Sequence, residues 1–386
     1  MASLTFSYRY MLLWFFIVWT PIAYKYFYKS PLTLTVDYEP LHLVKHDLPT
    51  VDSTLNDIEP ALMNATLFML CRNKDLIAAL SSIQNVEDRF NKRYHYPWTF
   101  MNDAPFSKEF INATTEMASS NTTYVQLEQH EWGLPKNLNM NRALQTIRDM
   151  TKQRIIYGFS LSYRIMCRFN SGFFYRNSAL KDYDYYWRVE PGVIYSCDVP
   201  YDPFRLLRDK KKAYGFVVTL PEYPETIRTL WNTTRDFVKK NPHYLAPDNS
   251  LDFIVDDEKG LDGEYNGCHF WSNFEIADLN FFRSDAYTDY FEYLDQHFGF
   301  FYERWGDAPI HSIAASLFLN KSQIHYFEDF GYYHLPWSHC PSDYLLHANG
   351  RCICDPANTV ELEYEFCYPR WYYNMRAPDH KLESKV

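Results

Sequence analysis

The sequence predicts an α/β domain with a mostly parallel central sheet and helices on both faces, set behind an N-terminal membrane anchor. Three observations carry this expectation. From Asn64 onward, short apolar runs alternate with segments of helical period, the pattern of strands joined by helical crossovers. The chain has 386 residues, 47% of them hydrophobic, which suffices for one large core, and no internal repeat divides it. Between Arg9 and Lys25 runs an uncharged stretch, YMLLWFFIVWTPIAY. That is short for a span of about 20 apolar residues but suits a signal-anchor core.

In chain order, residues 1–9 read as a short cytoplasmic tail, 10–25 as a signal-anchor helix, 26–60 as a luminal stem and 61–386 as the luminal catalytic domain. The charges at Arg9, Lys25 and Lys29 flank the apolar run on both sides and do not by themselves fix its orientation. The rest of the chain does so. Sequons at Asn64, Asn112, Asn121, Asn232 and Asn320, and eight cysteines all beyond Ser30, suit an oxidising lumen. Aromatic and basic residues crowd Tyr24 to Lys29 where a cleavage site would stand, so the anchor is expected to be retained, giving a type II membrane protein. The stem holds prolines, no glycine and no sustained helical period.

Within the domain, Ala65 to Cys71 is the first strand. Leu76, Ile77, Leu80, Ile83, Val86 and Phe90 follow at helical spacing, with Asn73 or Asp75 placed to cap. A second strand, Trp98 to Met101, ends in Asn102 and Asp103. Further strands are expected at Arg154 to Tyr157, Tyr185 to Val189 and Ala213 to Thr219, a helix from Pro224 to about Lys240, and another beginning near Asp307 with Pro309 in its first turn. After about Cys340 the chain reads as a less regular, cysteine-bearing tail.

Composition excludes disorder and argues against nucleic acid. The chain carries 33 Tyr, 29 Phe and 10 Trp against 12 Gly, which implies a heavily aromatic core or stacking surfaces, and its formal net charge of -10 opposes phosphate-backbone binding. In open α/β sheets ligands bind beyond the carboxyl ends of strands. Two acidic sites flank YYWRV: Asp182-Tyr183-Asp184 before it and Glu190-Pro191-Gly192 after it, roughly 17 Å apart along an extended strand. Only one can face the site, and the strand-end rule selects Glu190. The D-x-D then reads as a solvated loop.

VEDRFNKRY, WTFMNDAPF, SYRIMCRF, SGFFY, YYWRVEP, CHFWSNFEI, FYERWGDAPIHSIA and FGYYH, in this order over about Asn64 to His339, closely resemble the fungal Golgi α-1,2-mannosyltransferases that use GDP-mannose. The resemblance implies a nucleotide-sugar-binding, GT-A-like domain on a type II anchor, and Mn²⁺-dependent, anomer-retaining transfer of mannose to a mannose-terminated glycan or glycoprotein. It places Glu190 and His334 as metal ligands, a carboxylate and an imidazole suiting Mn²⁺. It places Tyr163 between donor and acceptor sugars, and Glu275 as nucleophile or as stabiliser of an oxocarbenium-like state. Asp307 becomes a candidate partner of the acceptor hydroxyl, although Asp before Ala-Pro is equally an ordinary helix N-cap. From the strand and helix layout, Arg72, Arg89, Asn102 and Asp103 are the groups placed to hold the nucleotide, with an ion-pair role open for Arg89.

Two departures stand out. Better-known relatives carry Asp where this chain has Gly192, removing one carboxylate near the metal position. The segment from Cys340 to Cys367, with Cys352-Ile353-Cys354, also differs, and disulfides are expected there rather than zinc, because C-x₂-C partners are absent. Cys71, inside a strand, is expected to be free. Transfer of mannose-1-phosphate from the same donor is the alternative reaction, and a binding protein without catalysis the alternative class.

Overall fold

The computed structural model describes residues 61–256, 259–360, 363 and 366–376. The tail, anchor and stem expected over 1–60 lie outside the described residues, among which no helix is long and apolar enough to cross a membrane. The strands in chain order are β1 (Ala65–Leu70), β2 (Trp98–Asn102), β3 (Thr122–Gln126), β4 (Tyr185–Val189), β5 (Ile194–Tyr195), β6 (Tyr214–Phe216), β7 (Thr219–Pro221), β8 (Cys268–Phe270), β9 (Phe274–Asp278), β10 (Ile324–Tyr326), β11 (Tyr332–His334) and β12 (Trp337–His339). The central sheet runs β10-β6-β9-β4-β1-β2-β3. It is parallel except at β9, which is antiparallel to both β4 and β6.

The alternation of side chains along β1 explains why helices cover both faces. Leu67 and Met69 enter one core with Ala79, Ile83 and Val86 of the Leu76–Val86 helix. Phe68 enters the other, with Cys167 and Phe169 of the Leu161–Gly172 helix and Ile310, Ile313 and Leu317 of the Asp307–Phe318 helix. The aromatic surplus is spent here: Trp98, Trp187, Trp305 and many tyrosines are fully buried.

Several expected elements change. No strand forms at Arg154–Tyr157, because Arg154 (φ 56) and Tyr157 (φ 55) take left-handed conformations that break an extended run. The stretch from Ala213 to Thr219 divides between sheets, Tyr214–Phe216 lying in the central one while Thr219–Pro221 pairs with β8. The helix expected from Pro224 is interrupted: a short 3₁₀ turn, Pro224–Thr226, ends at Ile227 with φ -133, and the α-helix spans Leu230–Lys240. Of the sequon asparagines, Asn64, Asn112, Asn121 and Asn232 are exposed and Asn320 is half-buried.

Three disulfides secure the tail: Cys197–Cys352, Cys268–Cys367 and Cys340–Cys354. Cys71 and Cys167 are free and buried. The Cys268–Cys367 bond spans 99 residues and ties the C-terminal helix Tyr368–Arg376 to β8. Replacing both of its cysteines by serine is expected to lower stability by about 2–5 kcal/mol, read from the denaturant midpoint of unfolding. An unchanged midpoint would show that the Trp371 packing on Phe216, Phe253 and Phe270 holds this helix unaided.

Candidate functional site

The carboxyl ends of three adjacent parallel strands, β4, β1 and β2, open onto a cleft of ≈ 280 Å³. Cys71 and Arg72 come from the end of β1, Asn102 and Asp103 from the end of β2, and Glu190 from the end of β4; Tyr163 and Met166 enter from the Leu161–Gly172 helix. Five residues singled out from sequence, Arg72, Asn102, Asp103, Tyr163 and Glu190, therefore share one wall. Asn102 is buried, and its side-chain oxygen has no hydrogen-bond partner among the described residues. Such an atom costs about 1–3 kcal/mol, unless a bound molecule supplies the donor. The Arg72 guanidinium likewise makes no hydrogen bond or ion pair among the described residues and borders the cleft as an available cation.

Beneath this wall lies a charged network that the sequence did not announce. Arg188, second from the cleft end of β4 and almost fully buried, donates through Nε to Glu190 (2.8 Å) and through Nη1 to Asp307 (2.6 Å). Ser272 also donates to Asp307, at 2.8 Å. Burial alone would push Asp307 up, yet the Arg188 guanidinium, helped by His311, holds its carboxyl below the ordinary value. Asp307 is the first residue of its helix rather than the cap. Gly306 occupies the N-cap position, so the cap role left open for Asp307 is not the one it takes.

Glu275 pairs in register with Arg188 across β9 and β4 and is fully buried. It does not line the cleft. Tyr214 and His311 Nδ1 meet its Oε1, each at 2.6 Å, and Tyr186 donates to Oε2 at 2.6 Å. Burial, reinforced by Glu275, pushes both phenols well above their ordinary values, which keeps them as donors. His311 Nε2 lies 2.9 Å from the carbonyl of Asn170. Both ring nitrogens thus face oxygen acceptors, so the imidazole bridges Glu275 to the helix that carries Tyr163.

His334 ends β11, which pairs antiparallel with β5, four residues after Glu190. The register returns His334 toward the Glu190-Pro191-Gly192 turn, within electrostatic reach of Glu190. Burial lowers the pKa of this imidazole and favours its neutral form, and its Nδ1 faces the carbonyl of Leu335 at 3.2 Å, leaving Nε2 as the lone-pair donor. Glu190 spends Oε1 on Arg188 and keeps Oε2. One carboxylate oxygen and one imidazole nitrogen fit a divalent cation whose remaining ligands are diphosphate oxygens and water. Among the described residues no cluster of three or more His, Cys, Asp or Glu side chains forms a closed protein cage.

Tyr163 is half-buried, its ring stacked on Tyr157 at 4.4 Å between centroids, with the Arg304 guanidinium 5.3 Å from its ring centre. Burial raises its phenol well above the ordinary range, so it acts as a hydrogen-bonding hydroxyl. Arg89 is not part of the cleft. Its guanidinium pairs with Asp198 at 2.7 Å, and its carbonyl accepts from Val199 and Arg93, which makes it a strut for the loop after β5. Asp182 and Asp184 sit at the opposite end of β4, tied to Asn64 through the Asp182 carbonyl and Asp184 Oδ2. Gly192 has φ +90, and its N–H donates to the Ala78 carbonyl and to Ser82 Oγ. The turn following Glu190 is thereby fixed by backbone, in a conformation L side chains rarely adopt.

Arg188 and His311 are the functional candidates missed from sequence. Each carried a signal: a guanidinium in the middle of an apolar strand and an imidazole in the run APIHSIA must both find partners when buried.

Residues 42–376 match the family model described as glycolipid 2-alpha-mannosyltransferase. The chain is 70% identical to O-glycoside alpha-1,2-mannosyltransferase homolog 3 of Schizosaccharomyces pombe, over 82% of this chain and 83% of that one. It is 50% identical to glycolipid 2-alpha-mannosyltransferase 1 of Candida albicans, over 85% and 74% respectively. Among solved structures it resembles core-mannan synthase A of Aspergillus fumigatus in its Mn/GDP form, with a TM-score of 0.77 and 40% identity over 82% of this chain and 86% of that one. The mannosyltransferase Ktr4p of Saccharomyces cerevisiae in complex with GDP also gives a TM-score of 0.77, with 37% identity over 81% and 82%.

Proposed function

Since this chain belongs to the glycolipid 2-alpha-mannosyltransferase family, we propose that it moves mannose from GDP-mannose to a mannose-terminated glycan, forming α-1,2 linkages with retention and using Mn²⁺. The observation that carries the reading is the convergence, at one strand-end cleft, of Glu190 Oε2, the unpartnered oxygen of Asn102 and the unpaired guanidinium of Arg72, with the His334 imidazole outside the cleft lining but within electrostatic reach of Glu190. GDP bound in a solved relative supports the same donor. The enzyme is proposed to work as a single-pass type II protein of the Golgi membrane, held by residues 10–25 and acting on O- or N-linked chains of secreted and cell-wall glycoproteins.

Glu190 and His334 would hold the cation, which supplies charge neutralisation for the departing diphosphate. Arg72 and Asp103 take the nucleotide's polar edges, and Asn102 offers its buried oxygen to a base or ribose donor. Arg188 fixes the Glu190 carboxylate so that one oxygen always faces the cleft. Tyr163 positions the reacting hydroxyl, and its raised pKa keeps the proton in place. Glu275, with both oxygens already occupied and no edge on the cleft, acts through the buried network behind the site rather than as an attacking group. Asp307, paired to Arg188, completes the same support.

The test is the mass of the product. The full-length chain in detergent, given GDP-mannose and methyl α-mannoside, is expected to add one hexose with Mn²⁺ and none with chelator. A phosphohexose adduct would replace this reading with mannosylphosphate transfer, and metal-dependent GDP binding without any adduct across mannoside acceptors would reduce the protein to a binding role.

A further inference from the structure

Beside the cleft, residues 154–160 form a loop that joins the Met140–Lys152 helix to the Leu161–Gly172 helix. It exposes three large apolar side chains: Ile156 (47%), Tyr157 (47%) and Phe159 (66%). Loops that expose such groups without function are usually loosely held. This one is pinned. Arg164, fully buried, donates through Nη1 to the carbonyls of Gly158 and Ser160, each at 3.0 Å, and through Nε to the carbonyl of Glu303 at 3.1 Å. The loop also closes on itself through Gly158 N–H to Ile155 and Ser160 N–H to Tyr157. A side chain at Gly158 would lie 2.7 Å from Met150 Cβ, so the loop backbone is seated directly on the preceding helix. Two non-glycine residues, Arg154 and Tyr157, hold left-handed conformations to make this path. A buried arginine and two strained residues are thus committed to displaying aromatic and aliphatic groups to solvent.

The displayed surface is continuous with the site. Tyr157 lines the cleft and stacks on Tyr163 with rings 10° from parallel, while Ile156 and Phe159, exposed on the same loop, lie outside the cleft lining. We propose that this loop is a second acceptor subsite, which takes the sugar preceding the reacting mannose on the face of Tyr157 and Phe159. The chemistry suits a neutral pyranose: an apolar C–H face packs on a ring while the hydroxyls stay in water, and the rigid platform lowers the ordering cost of binding. The hydroxyls of Ser160 and Ser162, 3.2 Å apart, also border the cleft and can meet that sugar's polar edge. Because the reacting mannose sits at Tyr163, this inference rests on the mannosyltransferase reading.

The experiment compares methyl α-mannoside with methyl α-1,2-mannobioside as acceptors for the full-length chain, wild type and Phe159→Ser, with Tyr157→Leu as a second variant. The wild type is expected to prefer the disaccharide in kcat/KM. In Phe159→Ser that preference falls roughly tenfold, through KM for the disaccharide, with melting temperature and GDP affinity retained. A preference left intact in both variants, or an equal loss on both acceptors, overturns the subsite. Loss of vesicle association in Phe159→Ser with intact disaccharide preference overturns it too and assigns the loop to the membrane surface. Failure of the wild type to transfer to either acceptor sinks the mannosyltransferase reading instead, which keeps the two failures apart.

Discussion

Glu190→Gln is expected to remove metal-dependent transfer almost completely, by roughly a hundredfold or more in kcat/KM, since a cation's charge stabilisation of the leaving diphosphate is worth several kcal/mol. The amide keeps the shape of the carboxylate and can still accept from Arg188 through its oxygen. What it loses is the anionic Oε2 that faces the cleft. Mn²⁺ titration of GDP binding by calorimetry should therefore show a much weaker metal contribution, with metal-free GDP affinity little changed because Arg72 and Asn102 remain. Wild-type metal dependence in this variant would remove Glu190 from the cation and leave the Mn²⁺ assignment without its carboxylate.

Arg188→Met should have the largest effect on stability. The native guanidinium lies between Glu190 and Asp307, with Glu275 opposite it in register, and the substitution leaves buried carboxylates without a cation. Breaking a buried pair in this way costs about 3–5 kcal/mol, which corresponds to a drop in Tm on the order of 10 °C. The pH dependence has a definite sign. Asp307 is held below its ordinary value in the folded state, so its pairing contributes fully above the ordinary carboxylate range and is lost as pH falls through the lowered folded value. The gap between wild type and variant is thus widest near neutrality and narrows toward acid. Melts at pH 7 and in the acid range measure it. A gap that is constant with pH, or a Tm within a few degrees at pH 7, would mean that the network contributes packing rather than charge pairing. Adding Glu190→Gln to Arg188→Met should recover part of the loss, as expected for coupled sites.

The parallel core of the fold was legible because its strands are short apolar runs bounded by polar residues, and β1, β2 and β4 lie where those runs stand. The Glu190 end of β4 could be chosen over the D-x-D end from strand polarity alone. Other elements left no local trace. β9, FEIAD, carries a carboxylate at its second position, and only the two phenols and the imidazole from other elements make that position tolerable. The apolar pair Ile155-Ile156 mimicked a strand, but Arg154 and Tyr157 on its flanks take positive φ, and the buried Arg164 binds the carbonyls of Gly158 and Ser160 just beyond it while reaching Glu303 on a distant segment. Arg89 shows the reverse case. Placed by the strand and helix layout among the nucleotide-holding groups, it lies in the helical segment Glu87–Asn91, where Asp198 in the loop after β5 claims its guanidinium.

The disulfide pattern bears on how firmly the two proposed ligand arms are held together. Glu190 and His334 are far apart in the chain, and each lies on a segment that soon reaches a cysteine, Cys197 after the first and Cys340 after the second. Cys352 bonds to Cys197 and Cys354 to Cys340, so a single three-residue clasp fastens both arms. The register of the two proposed ligands is set by the pairing of β5 with β11, and this clasp adds a covalent tether of the kind an oxidising compartment closes. With both bonds reduced, the pairing of β5 with β11 alone would hold the two arms together.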